Sequence, residues 1–419
     1  MNASPTARRL LIIAPPGSYR LAPYLTAAKH FKLTAVIAST SSFGMLPAGC
    51  DGIHIDLNRP DLALLKLIEL ADKTPFIGVL GTEDNTIELA AKIAAHLNLP
   101  HNPSAATRLT QRKDLARAFL SHAGINVPWH KKIHIDDDIN GFNDIPYPVV
   151  IKPLNLSASR GVIRADNAVE LQQAINTVRP IIQDTYEPEA KTHVLIEQYI
   201  AGAEIALECL LDGNDLTALA IFDKPDPLEG PYFEETYYIT PSRIPQAVLN
   251  DCQQEVLRCC QAYGLTTGPI HAECRIDENN KPWILEVAAR TIGGDCGQSL
   301  KPSASHSLEQ LVISYAIGEP VSIEPQNYSS GVLMIPTPKA GILKRVEGIL
   351  EAQKVEHITS LTIDIPLGNE VNCLPASSSY LGFIFAEAET AEEVEGALRN
   401  AHAKLKFTIS PVWHINNSH

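Results

Sequence analysis

The sequence predicts a multidomain protein of mixed α/β and α+β architecture. It reads as an N-terminal Rossmann-like parallel-sheet domain, a central unit carrying an antiparallel lid, and a small C-terminal α+β unit. Three observations carry this. Short apolar runs alternate with helix-period stretches over the first hundred residues, the texture turns to hairpin-like strands near Pro148, and a compact strand-and-helix pattern follows Gly331. The 419 residues suffice for two to four domains.

In the first hundred residues, Leu10 to Ala14, Thr34 to Ala38 and Phe76 to Leu80 have strand character. Leu62 to Ala71 and Ile87 to Leu97 carry apolar residues at helical spacing. Pro15-Pro16-Gly17-Ser18 falls at a strand-to-helix turn, where open sheets often receive ligands, but with one glycine there it reads first as a plain turn. A connection from Asn98 to Pro103 precedes a helix from Asp114 to Ala123. Strands follow at Pro148 to Lys152, Val162 to Arg164, Val194 to Ile200 and Glu204 to Leu211, with a helix near Val169 to Val178, and together they predict one small antiparallel sheet. Gln246 to Tyr263 is the clearest amphipathic helix, its apolar stripe running through Val248, Leu249, Cys252, Val256, Cys259, Cys260 and Tyr263. Strands at His271 to Ile276 and Trp283 to Val287 and a helix at Leu308 to Ile317 complete the centre. Beyond them lie strands at Val332 to Ile335 and Gly382 to Ala386 and a helix from Ala391 to Lys404. The expected division is 1–105, 106–325 with its lid at about 130–200, and 326–419.

Composition excludes several classes. Lys and Arg number 34 against 48 Asp and Glu, a net charge of −14, which argues against nucleic acid or an anionic membrane as partner. No apolar run approaches the roughly 18 residues that span a bilayer. Pro15-Pro16-Gly17 cuts short the one stretch that could mimic a signal peptide. The eight cysteines show no CxxC pair and no zinc-like spacing, so the expected setting is reducing and cytoplasmic.

Chemistry concentrates in a few places. Glu273 and Glu286 each sit in an apolar strand, and the polar turn Asp277 to Lys281 between them makes a hairpin that brings the two carboxylates together. Two such groups repel unless a cation or proton intervenes, and a divalent ion that prefers oxygen is the natural solution. The alternative is that each pairs with Arg275 or Arg290 at the sheet surface. Arg290 is followed by Thr291-Ile292-Gly293-Gly294, where glycines allow backbone to approach an anion, and this favours phosphate chemistry. Lys152 closes a buried strand and is followed by Ser157, Ser159, Arg160, Gly161 and Val162, a composition suited to a flap over polyphosphate; a solvated hairpin with a snorkelling lysine is the plainer reading. There is no GxxxxGK[ST] loop. Glu197-Gln198-Tyr199-Ile200, then Ala201-Gly202-Ala203-Glu204, is a strand ending at a small-residue turn, able to offer backbone groups to an adenine edge and a carboxylate to ribose hydroxyls.

The order Lys113, Lys152 with its Ser/Gly flap, Glu197 to Glu204, Glu273, Glu286 and Arg290 resembles the ATP-grasp superfamily, over about residues 75–325. Within it the sequence is most like the L-amino acid ligase (dipeptide synthetase) and biotin carboxylase-like branch. The resemblance implies ATP and Mg²⁺ as cofactors, with Mn²⁺ as the alternative ion. Lys113 and Lys152 would contact the ATP phosphates. Ser157, Ser159, Arg160, Gly161 and Val162 would form the lid loop, Glu197, Gln198, Tyr199 and Ile200 the adenine hinge, and Glu204 the ribose contact. Glu273 and Glu286 would hold the metal. Arg290, with Lys152 as the other catalytic cation, would steady the transferred phosphoryl group or the reacting carboxylate. His271, Gly293 and Gly294 would lie with Arg290 on the substrate side, though His271 taken alone reads first as a satisfied core residue. Many family members carry Asn two residues after the second metal glutamate, whereas this chain has Ala288, which leaves the third metal ligand open.

The expected activity is therefore ATP-dependent ligation of a carboxylate to an amine through an acyl phosphate, forming an amide and releasing ADP and phosphate. The substrates are expected to be small molecules, in the first instance amino acids. Carboxylation through carboxyphosphate and non-catalytic ATP binding are the competing readings. Homodimers are common in the resembled family, and no stripe in this sequence marks an interface.

Overall fold

The computed structural model describes residues 8–40, 50–142, 144–300, 306–324, 328–377 and 380–412. Near the N-terminus, β1 (Arg9–Ile13), β2 (Thr34–Ser39), β3 (Asp51–His54) and β4 (Gly78–Gly81) form a parallel sheet in the order β3-β2-β1-β4. The run Leu10 to Ile13 is apolar throughout because helices cover both faces of the sheet, so every side chain of that strand is buried. The covering helices are α1 (Leu21–His30), α2 (Pro60–Lys73) and α3 (Asp84–His96). The expected strand at Phe76 begins two residues later, at Gly78, with Phe76 buried in the approach to it.

Helices α4 (Ser104–Gln111) and α5 (Lys113–His122) lead to a second, antiparallel sheet built from β5 (His130–His134), β6 (Val149–Pro153), β7 (Ile163–Ala165) and β8 (His193–Gln198), in the order β5-β8-β6-β7. Between β7 and β8, α6 (Ala168–Ile181) packs on it through Leu171, Ala174, Ile175 and Val178. Asn167 caps this helix by accepting from the Glu170 N–H at 3.1 Å.

The expectation that Glu204 to Leu211 belongs to this small sheet is corrected by the structure. Strand β9 (Ala203–Asp212) leaves it at Gly202, whose φ of +125° only glycine adopts readily, and enters a larger sheet. Residues Ile205 to Leu211 of that strand are buried on both faces, as a central strand requires.

The large sheet continues with β10 (Asp215–Lys224) and β11 (Tyr237–Thr240). After α7 (Gln246–Tyr263) come β12 (Thr267–Ile276) and β13 (Pro282–Ala288), then α8 (Leu308–Ala316) and β14 (Ser329–Ile335). The chain closes with β15 (Gly341–Glu347), α9 (Ile349–Gln353), β16 (Ile358–Ile363), β17 (Glu370–Val371), β18 (Gly382–Ala388), α10 (Ala391–His402) and β19 (Lys406–Ser410). The strand order of the large sheet is β13-β12-β9-β10-β11-β14-β18-β16, so it takes strands from both the 106–325 and the 326–419 segments. β17, β15 and β19 form a separate small sheet. The whole predicted stripe of α7 is buried in one core with residues of β9, β12 and β13, and Cys209, Cys252, Cys259, Cys260 and Cys274 lie in that core as free thiols. Helix α10 begins at a capping box between Thr390 and Glu393 and covers β14 and β18 with Val394, Ala397, Leu398 and Ala401. Among the described residues no helix is long and apolar enough to cross a membrane.

Candidate active site

A cavity of about 1230 Å³ opens between the N-terminal sheet domain, the lid sheet and the large sheet. On its floor Glu273 and Glu286 are register partners across β12 and β13, and the register shifts immediately after Glu273. The shift leaves Leu285 unpaired against β12. Its carbonyl accepts from the guanidinium of Arg117, which projects from α5.

The two carboxylates are held differently. Glu273 Oε1 accepts from Lys224 Nζ at 3.0 Å and lies 3.6 Å from His271 Nε2. Burial works against its ionisation, but Lys224 and His271 hold it well below the usual carboxylate range. No hydrogen bond from a described residue reaches its Oε2. Among the described residues Glu286 makes only long contacts, 3.7 Å to Lys113 Nζ and 3.6 Å to Arg290 Nη2. The floor thus offers hard oxygen donors with unspent acceptor capacity, flanked by cations. That donor chemistry suits Mg²⁺ shared with phosphate oxygens, and Glu273 and Glu286 are the residues that would hold it. Ala288, buried in β13, supplies no third ligand.

Behind Glu273, His271 Nδ1 lies 3.2 Å from Oε2 of the fully buried Glu208. Burial opposes the imidazolium, yet Glu208 and Glu273 raise its pKa to about 9. Both oxygens of Glu208 also accept from the Ile292 N–H, at 3.0 and 3.1 Å. His271 thus links the floor, through Glu208, to the Arg290 to Gly294 loop.

Arg290 is pinned. Nε donates to Asp84 Oδ1 at 2.8 Å, Nη1 to the Thr291 carbonyl at 3.1 Å, and Nη2 faces Glu286. Burial disfavours its charge, and Asp84 and Glu286 outweigh that penalty. The same loop is gripped from the N-terminal domain: Arg20 Nη2 donates to the carbonyls of Thr291 and Ile292 at 3.2 and 3.0 Å, and the Gly294 N–H donates to Tyr19 Oη at 2.9 Å. Gly293 and Gly294 both face the cavity, and a Cβ at Gly294 would collide with the sulfur of Met334.

On the lid side, Lys152 Nζ meets Glu197 Oε2 at 2.7 Å, and Lys113 Nζ donates to the Leu156 carbonyl at 2.7 Å. Both lysines face the cavity. Glu197 is 1% exposed; burial pushes its pKa up, but Arg117 and Lys152 bring it down to about 2. Gln198, Tyr199 and Ile200 line the cavity beside it. The Tyr199 ring lies 4.4 Å from the Arg164 guanidinium and 4.8 Å from that of Arg275. Glu204 faces the cavity with both oxygens engaged, Oε1 by Lys224 and Oε2 by Arg275, each at 2.8 Å.

In the lid loop, Ser157, Ser159, Arg160 and Val162 reach the cavity. Gly161 does not line it: its N–H donates to the Pro375 carbonyl at 3.0 Å. Arg160 is spent as well, on Asp184 and on the Ala376 carbonyl. Both residues tie the loop to the C-terminal region.

The sequence assigns no role to Asp84, Arg20, Arg117 or Glu208; Lys224 and the Glu234-Glu235 pair fall in the stretch where the resembled family builds its substrate side, the pair reading first as a solvated loop. Glu208 carried the signal that picked out Glu286, a carboxylate inside an apolar strand. Glu235 accepts from Lys224 at 2.5 Å and from Tyr238 Oη at 2.7 Å, and burial, opposed by Lys224, pushes its pKa up to about 7.

Comparison with known proteins accords with this architecture. Residues 145–299 match the ATP-grasp domain model, and residues 333–410 match L-amino acid ligase C-terminal domain 2. A D-alanine–D-alanine ligase of Gloeobacter violaceus is 30% identical over 269 residues, covering 60% of this chain and 83% of that protein. The chain belongs to the ATP-grasp ligases. Within that family, alanine–anticapsin ligase of Bacillus subtilis is 22% identical, covering 70% of this ligase and 67% of its relative. The crystal structure of L-amino acid ligase from Bacillus licheniformis superposes with a TM-score of 0.85 at 27% identity, over 97% of this ligase and all of the other chain. This ATP-grasp ligase is thus an enzyme of the C–N ligase class, close to the L-amino acid and D-alanine–D-alanine ligases.

Proposed function

We propose that this ligase joins the carboxyl group of one amino acid to the amino group of another at the expense of ATP. The observation that carries the reading is the cross-strand pair Glu273 and Glu286 on the floor of a cavity ringed by Lys113, Lys152 and Arg290. A carboxylate is too poor an electrophile for an amine until one oxygen becomes a leaving group, and γ-phosphoryl transfer from ATP accomplishes this. Mg²⁺ held by Glu273 and Glu286 would neutralise charge on the phosphates. Lys152 is held at the lid side and Arg290 by Asp84, so their charges are fixed before substrate arrives and need no reorganisation. The amine then attacks the acyl phosphate carbon, the C–N bond forms and phosphate leaves. The lid loop, standing over the cavity, limits the access of water to the activated acyl group.

Part of the cavity lining supports amino acids as substrates. Met334, Tyr380 and Phe383 form an apolar wall there, and Glu235, Asp295 and Asp364 supply carboxylates suited to an ammonium group. The likeness to L-amino acid ligase over nearly the whole chain agrees with this. The carboxylase structures that share the fold are 15% identical and support the fold alone.

The test is phosphate release from ATP screened over pairs of amino acids, with mass spectrometry of the products. A ligation product with stoichiometric ADP and phosphate is expected. ADP formation that requires bicarbonate and no amine would replace this reading with carboxylation, and binding of ATP without turnover on any pair would remove it.

A further inference from the structure

Lys224 is a fully enclosed ammonium on which three carboxylates converge: Glu204 at 2.8 Å, Glu235 at 2.5 Å and Glu273 at 3.0 Å. One oxygen from each of the three acids lies within 4.8 Å of the others, a spacing at which a divalent ion could be bound. Lys224 itself does not line the cavity, whereas all three acids do. It enters from the last residue of β10, Glu204 lies opposite it on β9, and Glu273 lies on β12, on the far side of β9. Tyr238 fixes the third acid by donating to the other oxygen of Glu235.

We propose that Lys224 is a positioning residue that serves as a resident cation. It occupies the point where the three acids cross and keeps divalent metal out of it. By engaging Oε1 of Glu273, it directs Oε2 of that residue toward the ion shared with Glu286. The proposal rests on the metal role of Glu273 and Glu286 given above. The physical reason is charge balance: three carboxylates within 4.8 Å demand a cation, and a tethered ammonium supplies one that neither dissociates nor competes for the phosphates. One positive charge also ties together the acid nearest the lid hinge, the metal acid and Glu235, so all three hold a common spacing.

The experiment is Mn²⁺ binding by electron paramagnetic resonance in the absence of nucleotide, on the wild type, Lys224→Met and Lys224→Arg. The methionine variant keeps the length of the side chain and loses its charge. We expect it to bind one more Mn²⁺ per chain than the wild type, while Lys224→Arg binds none beyond the wild type. A folded Lys224→Met that gains no ion would overturn the proposal, as would a Lys224→Arg that gains one. If the methionine variant does not fold, the wild-type crystal soaked with Mn²⁺ and ADP decides the matter by anomalous scattering. Manganese on Oε2 of Glu273 and on Glu286 supports the proposal; manganese on Glu204 or Glu235 refutes it. Calorimetric binding of ADP to the wild type tests the underlying nucleotide site separately, because the nucleotide-free Mn²⁺ count does not depend on it.

Discussion

Glu273 and Glu286 face one another as direct register partners across β12 and β13, and the pairing shifts at the next residue of β12. In an antiparallel pair, side chains directly opposite each other lie on the same face of the sheet. The two strands therefore deliver like charges to one spot, and each charge has its own cation set, Lys224 and His271 for Glu273, Lys113 and Arg290 for Glu286.

The first prediction concerns this pair. Glu286→Gln keeps the shape of the side chain and removes the charge that faces Lys113 and Arg290. Turnover is expected to fall by about 10²- to 10³-fold with the thermal midpoint close to that of the wild type. Stopped assays of ADP and phosphate release measure the first, differential scanning fluorimetry the second. Full activity in the variant would rule out the metal assignment.

Asp84 lies 206 positions from Arg290 and fixes its Nε. In Asp84→Asn the guanidinium loses its charged partner and is free to collapse toward Glu286. A drop in kcat of about 10- to 100-fold is expected, with the KM for ATP nearly unchanged. A rise in KM at constant kcat would instead place Arg290 in ground-state nucleotide binding.

Arg117 and Glu197 form a buried ion pair, with Lys152 as a second partner for the carboxylate. Arg117→Met leaves the carboxylate with one cation and should cost about 3 kcal/mol in denaturant unfolding. The pair also predicts a pH effect. The pKa of Glu197, about 2 in the folded state, lies below its unfolded value of about 4.3, so its contribution is complete above the unfolded value and is lost as pH falls toward 2. Wild-type stability should decline across that acid window, and the decline should be shallower in Arg117→Met.

Gly202 marks the exit from the lid sheet into β9. A Cβ there would overlap the Ile276 carbonyl oxygen, and the φ of +125° is closed to other residues. Gly202→Ala should destabilise the ligase by at least about 2 kcal/mol, read from the urea midpoint. Gly213, with φ +62° and open space around its Cβ position, serves as control: alanine there should cost about 1 kcal/mol.

What the sequence made legible, and what it did not, follows from where the information lies. Leu10 to Ile13 and the stripe of α7 were readable because burial demands apolar side chains at a fixed period. Strand β3, with three of its four residues exposed, carries no such demand and left no trace. β9 was identified as a strand but placed in the wrong sheet, because a glycine turn does not say into which sheet the chain continues. The carboxylates of Glu273 and Glu286 stood out because an acid inside an apolar strand needs compensation. Their supports did not: Arg117 is 80 positions from Glu197, and Arg20 is 271 and 272 positions from the carbonyls it holds, so only the tertiary fold brings them together.

The continuity of the large sheet has a further consequence. Glu273 on β12 and Met334 on β14 border the same cavity, separated in the strand order by β9, β10 and β11. Four strand spacings amount to about 19 Å. The sheet therefore acts as a calliper, its jaws set by backbone hydrogen bonds rather than by a flexible joint between folding units. Exchanging Met334 for a larger or smaller side chain would reset the gauge at one jaw while the carboxylate jaw stayed where it is.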